Sequence, residues 1–101
     1  MIYQQGDVLI EAVEEIPREA KLRKGRCVLA EGEATGHAHV IEQKGAKLYD
    51  GDAGELFLGL SKEATVTHEE HGTVVVAPGK YQVRKVREWD HFKEEARAVA
   101  D

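Results

Sequence analysis

The segment GHAHVIEQ, residues 36–43, carries histidines at 37 and 39, and HEEHG, residues 68–72, carries histidines at 68 and 71. Four of the five histidines in the chain thus fall into two tight pairs. Residues at i and i+2 of a β-strand project to the same face, and residues at i and i+3 around a turn can approach as closely, so each pair is spaced to hold one ion. Brought together, His37, His39, His68 and His71 form an all-imidazole set that suits a divalent transition metal: zinc as the commonest, with copper, iron and nickel also compatible. A small anionic ligand is the other guest such a cluster would take. Glu31, Glu33, Glu69 and Glu70 stand near in sequence as carboxylate ligands or as partners that orient a ring.

With three protein ligands and a water, the same set turns hydrolytic. The ion would lower the pKa of the water towards about 7, and Glu69 or Glu70 would serve as the base. HEEH spaces its histidines at i and i+3, not at the i and i+4 of the helical H-E-x-x-H, so a metalloprotease helix is excluded. The competing reading is that each histidine, lying beside glycines and acids, makes an ordinary structural hydrogen bond. The domain would then be a non-enzymatic interaction module without metal, in a phage-derived or operon-encoded assembly, docking a protein partner or a second copy through a sheet edge or a basic hairpin.

The elements that must position these residues read as strands. DVLIEAV from Asp7 to Val13 places Val8 and Ile10 on one face and is closed by Pro17, which no central strand accommodates. Arg26–Ala30, the histidine segment with His37, His39 and Ile41 on one side, KLYD, Glu55–Leu60 and SKEATVTH follow, separated by glycine-bearing turns. In SKEATVTH the alternation points His68 the way of Val66, inward. Thr73–Ala77 and the strand with Tyr81 and Val83 read as a hairpin about Pro78 and Gly79. From Asp90 the period changes, and DHFKEEARAVAD reads as a short terminal helix with Asp90 as its N-cap. The expectation is a single mainly β domain over residues 1–101, a small sandwich or barrel of about seven or eight strands with one C-terminal helix.

Composition bounds the rest. The formal charge of −5 argues against nucleic acid, which demands a concentrated basic face. KLRKGR (21–26) and KYQVRKVR (80–87) are expected to be solvated charges, with Arg84 and Arg87 as the one pair able to meet an anion. Cys27, the single cysteine, reads as a buried small hydrophobe and fits a reducing cytoplasm. MIYQQGDVLI lacks the pattern of a signal peptide, and no run approaches the length of a membrane helix, so a cytoplasmic protein without a membrane partner is expected. Trp89 and Phe92 are expected to staple the terminal helix to the sheet, His91 to be exposed, and Tyr49 and Tyr81 to be half-buried with their hydroxyls at the surface.

HAHVIEQKG, with Glu42 and Gly45, partly resembles the first motif of cupins. Its spacing is short, however, and KYQVRKV after Pro78 and Gly79 lacks the histidine of the second cupin motif, so the cupin metal triad is not supported. A fuller resemblance is to a group of small, largely uncharacterised bacterial β-rich proteins. It is carried by QQGDVLI (4–10), GEATGHAHVI (32–41), HEEHG (68–72), APGKYQVRKVREW (77–89) and RAVAD (97–101), in order along nearly the whole chain. Trp89 stands where that pattern has a tyrosine. The resemblance implies that the glycine-flanked histidines and the Pro-Gly-x-Tyr segment belong to one recurring domain, and it implies no particular activity.

Overall fold

A computed structural model describes residues 1–32 and 36–86 in full, and the backbone of 97–100. Among the described residues, eleven short strands form two sheets. In chain order they are β1 (Ile2–Gln5), β2 (Val8–Ala12), β3 (Lys21–Arg23), β4 (Cys27–Glu31), β5 (Ala38–Ile41), β6 (Ala46–Asp50), β7 (Leu56–Leu60), β8 (Ala64–Thr67), β9 (Val74–Val76), β10 (Gly79–Lys85) and β11 (Arg97–Ala100). The larger sheet runs β11-β1-β2-β10-β7-β6-β3 and the smaller β4-β5-β8-β9. All pairings are antiparallel except β1 with β11. Among the described residues neither sheet closes on itself, so the mainly β expectation holds and the closed-barrel alternative does not.

The two sheets share one core. Val8, Ile10 and Leu58 from the larger sheet meet Ile41, Val66 and Val76 from the smaller, all at most 2% exposed. Alternation builds this face in β8 and β9: Ala64 and Val66 are buried while Thr67 is exposed, and Val74 and Val76 are buried while Val75 is exposed. β1 lies against β9 and β4 against β6, which closes the sandwich along both flanks.

Four expectations change. QQGDV is a hairpin, not the lead-in to a first strand: β1 and β2 pair from Ile2↔Glu11 to Gln5↔Val8 around Gly6 and Asp7, with Gly6 at φ 57°. Left-handed backbone of this kind suits glycine, and the turn carries Asp7 with it. Pro78 and Gly79 do not close a hairpin either, because β9 and β10 belong to different sheets. The chain crosses the sandwich there and is pinned by two tyrosines: the Tyr81 hydroxyl donates to Ala77 O at 2.6 Å, and Ala77 N donates to the Tyr3 hydroxyl at 3.2 Å. Tyr81 is therefore buried, with its hydroxyl inside and not at the surface. The expected terminal helix falls mainly on residues 90–96, outside the described residues. Over Arg97–Ala100 the backbone is instead a strand, because the edge of β1 offers a ladder of unpaired N–H and C=O groups to an Arg-Ala-Val-Ala segment that can extend. Arg87, Trp89, His91 and Phe92 also lie outside the described residues.

The basic segment 21–26 behaves as expected. β3 is exposed throughout, Arg23 pairs with Asp50 across the β3–β6 ladder, and Arg26 pairs with Glu42. Among the described residues, no helix is long and apolar enough to cross a membrane.

Candidate metal centre

Strand register brings the histidine pairs together. β5 and β8 pair at Ile41↔Val66 and Val40↔Thr67, and one step further along the same antiparallel register His39 faces His68. Their ring centroids are 4.4 Å apart. A further step outward sets Ala38 against Glu69, whose Oε1 accepts the Ala38 backbone N–H at 2.9 Å, and then His37 against Glu70, with Nδ1 3.3 Å from Oε1. HEEHG is thus the β8–β9 connection, laid against the entry to β5 as an irregular extension of the sheet. His71, at the far end of this loop, has its ring 4.6 Å from that of His68 and 5.9 Å from that of His39. His37 approaches His68 edge-on at 5.6 Å. All four expected histidines therefore line one pocket of about 440 Å³, together with Gly6, Asp7, Gly32 and Glu70.

Two glycines make the room. A Cβ on Gly6 would stand 2.5 Å from His71 Nε2, and one on Gly32 would stand 2.8 Å from His37 Cβ and 3.1 Å from His68 Nε2. Opposite β5, a register shift between Val28 and Ala30 of β4 turns Leu29 into the core and aligns Ala30 with His39.

The four rings are not equivalent. His39 is 2% exposed, and its Nδ1 lies 2.8 Å from Gln5 Oε1. Gln5 Nε2 donates to Val66 O at 3.0 Å and to Gly72 O at 2.8 Å, so its amide nitrogen is committed to two carbonyls and its oxygen must accept. His39 therefore carries its proton on Nδ1 and leaves a lone pair on Nε2, which lies 3.7 Å from Asp7 Oδ1 on the pocket wall. Burial, reinforced by the neighbouring His68 and opposed by Asp7, pushes the His39 pKa down to about 4, so the ring is neutral at physiological pH. His68 has the opposite arrangement: its Nδ1 accepts the Glu70 backbone N–H at 3.0 Å, so the neutral ring carries its proton on Nε2. Nδ1 of His71 is buried and finds no hydrogen-bond partner among the described residues, and Nδ1 of His37, also buried, has Glu70 Oε1 at 3.3 Å but outside hydrogen-bond geometry.

Buried imidazole nitrogens without partners are costly unless something supplies one, and either a water or a cation at the pocket would do so. His37, His68 and Glu69 each offer a ligand atom within 4.8 Å of the others, a grouping that includes two of the four expected histidines and not His39 or His71. His39 Nε2 and Asp7 Oδ1 are separated by little more than the roughly 3.3 Å that two ligands about 2.0–2.1 Å from one tetrahedral ion would show. Glu31 is placed differently: it is exposed, and its backbone oxygen accepts from Lys85 Nζ at 3.4 Å.

Gln5 and Asp7 were not legible as site residues from sequence. Both belong to the β1–β2 hairpin, distant in the chain from either histidine pair, and only the pairing of that hairpin with the rest of the sandwich carries them to the pocket. The model of a domain of unknown function, DUF8820, matches residues 4–86, a stretch that holds both of them and all four pocket histidines. The chain belongs to the DUF8820 family. No curated protein and no solved structure matches it. In this DUF8820 domain the candidate centre is built from three places in the chain, the β1–β2 turn, the start of β5 and the β8–β9 loop, and it sits where the two sheets meet.

Proposed function

We propose that this DUF8820 domain binds a divalent transition metal, with zinc the first candidate, in the pocket formed by His37, His39, His68 and His71. The observation that carries the reading is the convergence of four imidazoles from two distant segments on one pocket, with His39 buried, neutral and turning a lone pair towards it. Asp7 is the carboxylate closest to that lone pair and completes a mixed nitrogen and oxygen donor set. His68 would enter such a shell through Nε2 by shifting its proton to Nδ1 and giving up the bond from the Glu70 N–H, so uptake of the ion would reorder the loop.

The test is elemental analysis of protein made without a polyhistidine tag, followed by titration of the metal-free form with Zn²⁺. Near-stoichiometric metal is expected in the wild type, and none after joint replacement of His39 and His68 by alanine. A wild type that is purified without metal and takes up no Zn²⁺, Co²⁺ or Ni²⁺ would end this reading.

A further inference from the structure

Gln5 is fully buried in the apolar interior of β1, where a leucine or methionine of similar size would pack without desolvating an amide. The neighbouring Gln4 serves the hairpin itself, donating to Gly6 O at 2.8 Å. Gln5 does not. Its amide crosses from the larger sheet to the smaller and makes all three of its hydrogen bonds there, to His39 Nδ1, Val66 O and Gly72 O. Val66 and Gly72 stand on either side of the segment that carries His68 and His71, so one side chain ties both ends of that loop and also meets the ring of the third histidine.

We infer that Gln5 is a positioning residue for the proposed ion: it fixes His39 in the tautomer that presents Nε2 to the pocket and holds the His68–His71 loop at the matching height. The inference rests on the metal reading for its effect on affinity, and stands apart from it for the tautomer. Carbonyl oxygens at Val66 and Gly72 can only accept, so the amide cannot flip without setting its own oxygen against two others. With the amide so held, a proton on His39 Nε2 would leave Gln5 Oε1 facing a lone pair on Nδ1, an uncompensated buried contact. The pocket-facing nitrogen is thereby kept free before any ion arrives. Without this clamp the ring would exchange between tautomers and the loop would lose its tether, so each ion bound would have to order both.

Long-range ¹H–¹⁵N correlation spectra of the imidazoles in metal-free protein read the tautomer directly. Wild-type His39 is expected as the Nδ1–H form, and finding it as Nε2–H overturns the inference without any variant. Gln5→Met removes both functions at similar volume; it should give His39 mixed tautomers and weaken Zn²⁺ binding by about 10- to 100-fold, the range typical for partners of ligating histidines. Gln5→Glu keeps an acceptor for His39 Nδ1 and loses the two donors, so it should preserve the tautomer while loosening the loop. A variant that melts earlier yet keeps the His39 tautomer and the wild-type Zn²⁺ affinity in its folded fraction would assign Gln5 a merely structural role. Wild type that binds no Zn²⁺ but shows the expected tautomer would sink the metal reading alone.

Discussion

His39 and His68 face each other one step beyond the last ladder pair of β5 and β8, their rings 4.4 Å apart, and they hold their protons on opposite nitrogens. Gln5 takes the Nδ1 proton of one, and the Glu70 backbone N–H fills Nδ1 of the other. The same kind of side chain, on β5 and on the loop that follows β8, is thus given two chemical roles by its hydrogen bonds, a lone pair towards the pocket from His39 and an N–H at Nε2 of His68. Four expected outcomes follow from this arrangement and the fold around it.

Acid should weaken the metal-free protein in a defined window. His39 is held near a pKa of about 4 when folded, against 6.5 for a free histidine, so between those values the unfolded chain binds the extra proton and the folded one does not. Stability is full above 6.5, falls by up to about 1.4 kcal/mol per pH unit as the pH drops, and loses this dependence below 4. Urea midpoints at pH 7.5, 6 and 5 measure the slope. His39→Asn should flatten it, and an unchanged slope in that variant would place the effect elsewhere.

Gly6→Ala should damage both the turn and the pocket. At φ 57° an alanine costs about 1–2 kcal/mol, and its Cβ would press on His71 Nε2 from 2.5 Å. A lower melting temperature and about tenfold weaker Zn²⁺ binding are expected. If the variant melts early but binds as the wild type does, His71 is not a ligand.

Tyr81→Phe separates stability from the site. It removes the bond to Ala77 O where the chain crosses between sheets, a loss of about 1 kcal/mol, and Tyr81 does not line the pocket. Equilibrium unfolding should shift while metal content stays at the wild-type level. Metal lost in step with stability would mean that the crossing and the pocket are coupled.

Cys27 should be a poor nucleophile. It packs against the core, and burial pushes its thiol up to about 11 from 9.0, leaving little thiolate at neutral pH. Iodoacetamide at pH 7.5 should label the folded protein about a hundredfold more slowly than the urea-unfolded chain, a factor of ten for each unit of pKa. Equal rates would contradict the structural role expected of this residue.

Much of the scaffold is legible in local sequence because period-two alternation and glycine turns are short-range signals. Val8 with Ile10 and Ala64 with Val66 enter the core as their alternation indicates, and His39 is buried on β5, while His68 lies just beyond the end of β8 and is half-buried. Pro78–Gly79 misled because a turn dipeptide between two apolar runs looks the same whether the second strand folds back on the first or crosses to the other sheet. The choice between them lies with the tyrosine hydroxyls at Tyr3 and Tyr81. The strand at Arg97–Ala100 was missed for a similar reason, since its alternative to a helix is a free edge on β1 that no local pattern records.

By itself the sequence determined which side chains could share an ion: two histidine pairs, each at a spacing that puts both rings on one side of their own segment. Only the tertiary structure decided that the pairs meet, through the β5–β8 register, and that Gln5 and Asp7 join them from a hairpin at the opposite end of the chain order. Spacing within a strand follows from the covalent geometry of neighbouring residues. Register between strands, and the tautomer of a buried ring, depend on hydrogen bonds between residues far apart in sequence, and these exist only once the whole core has closed.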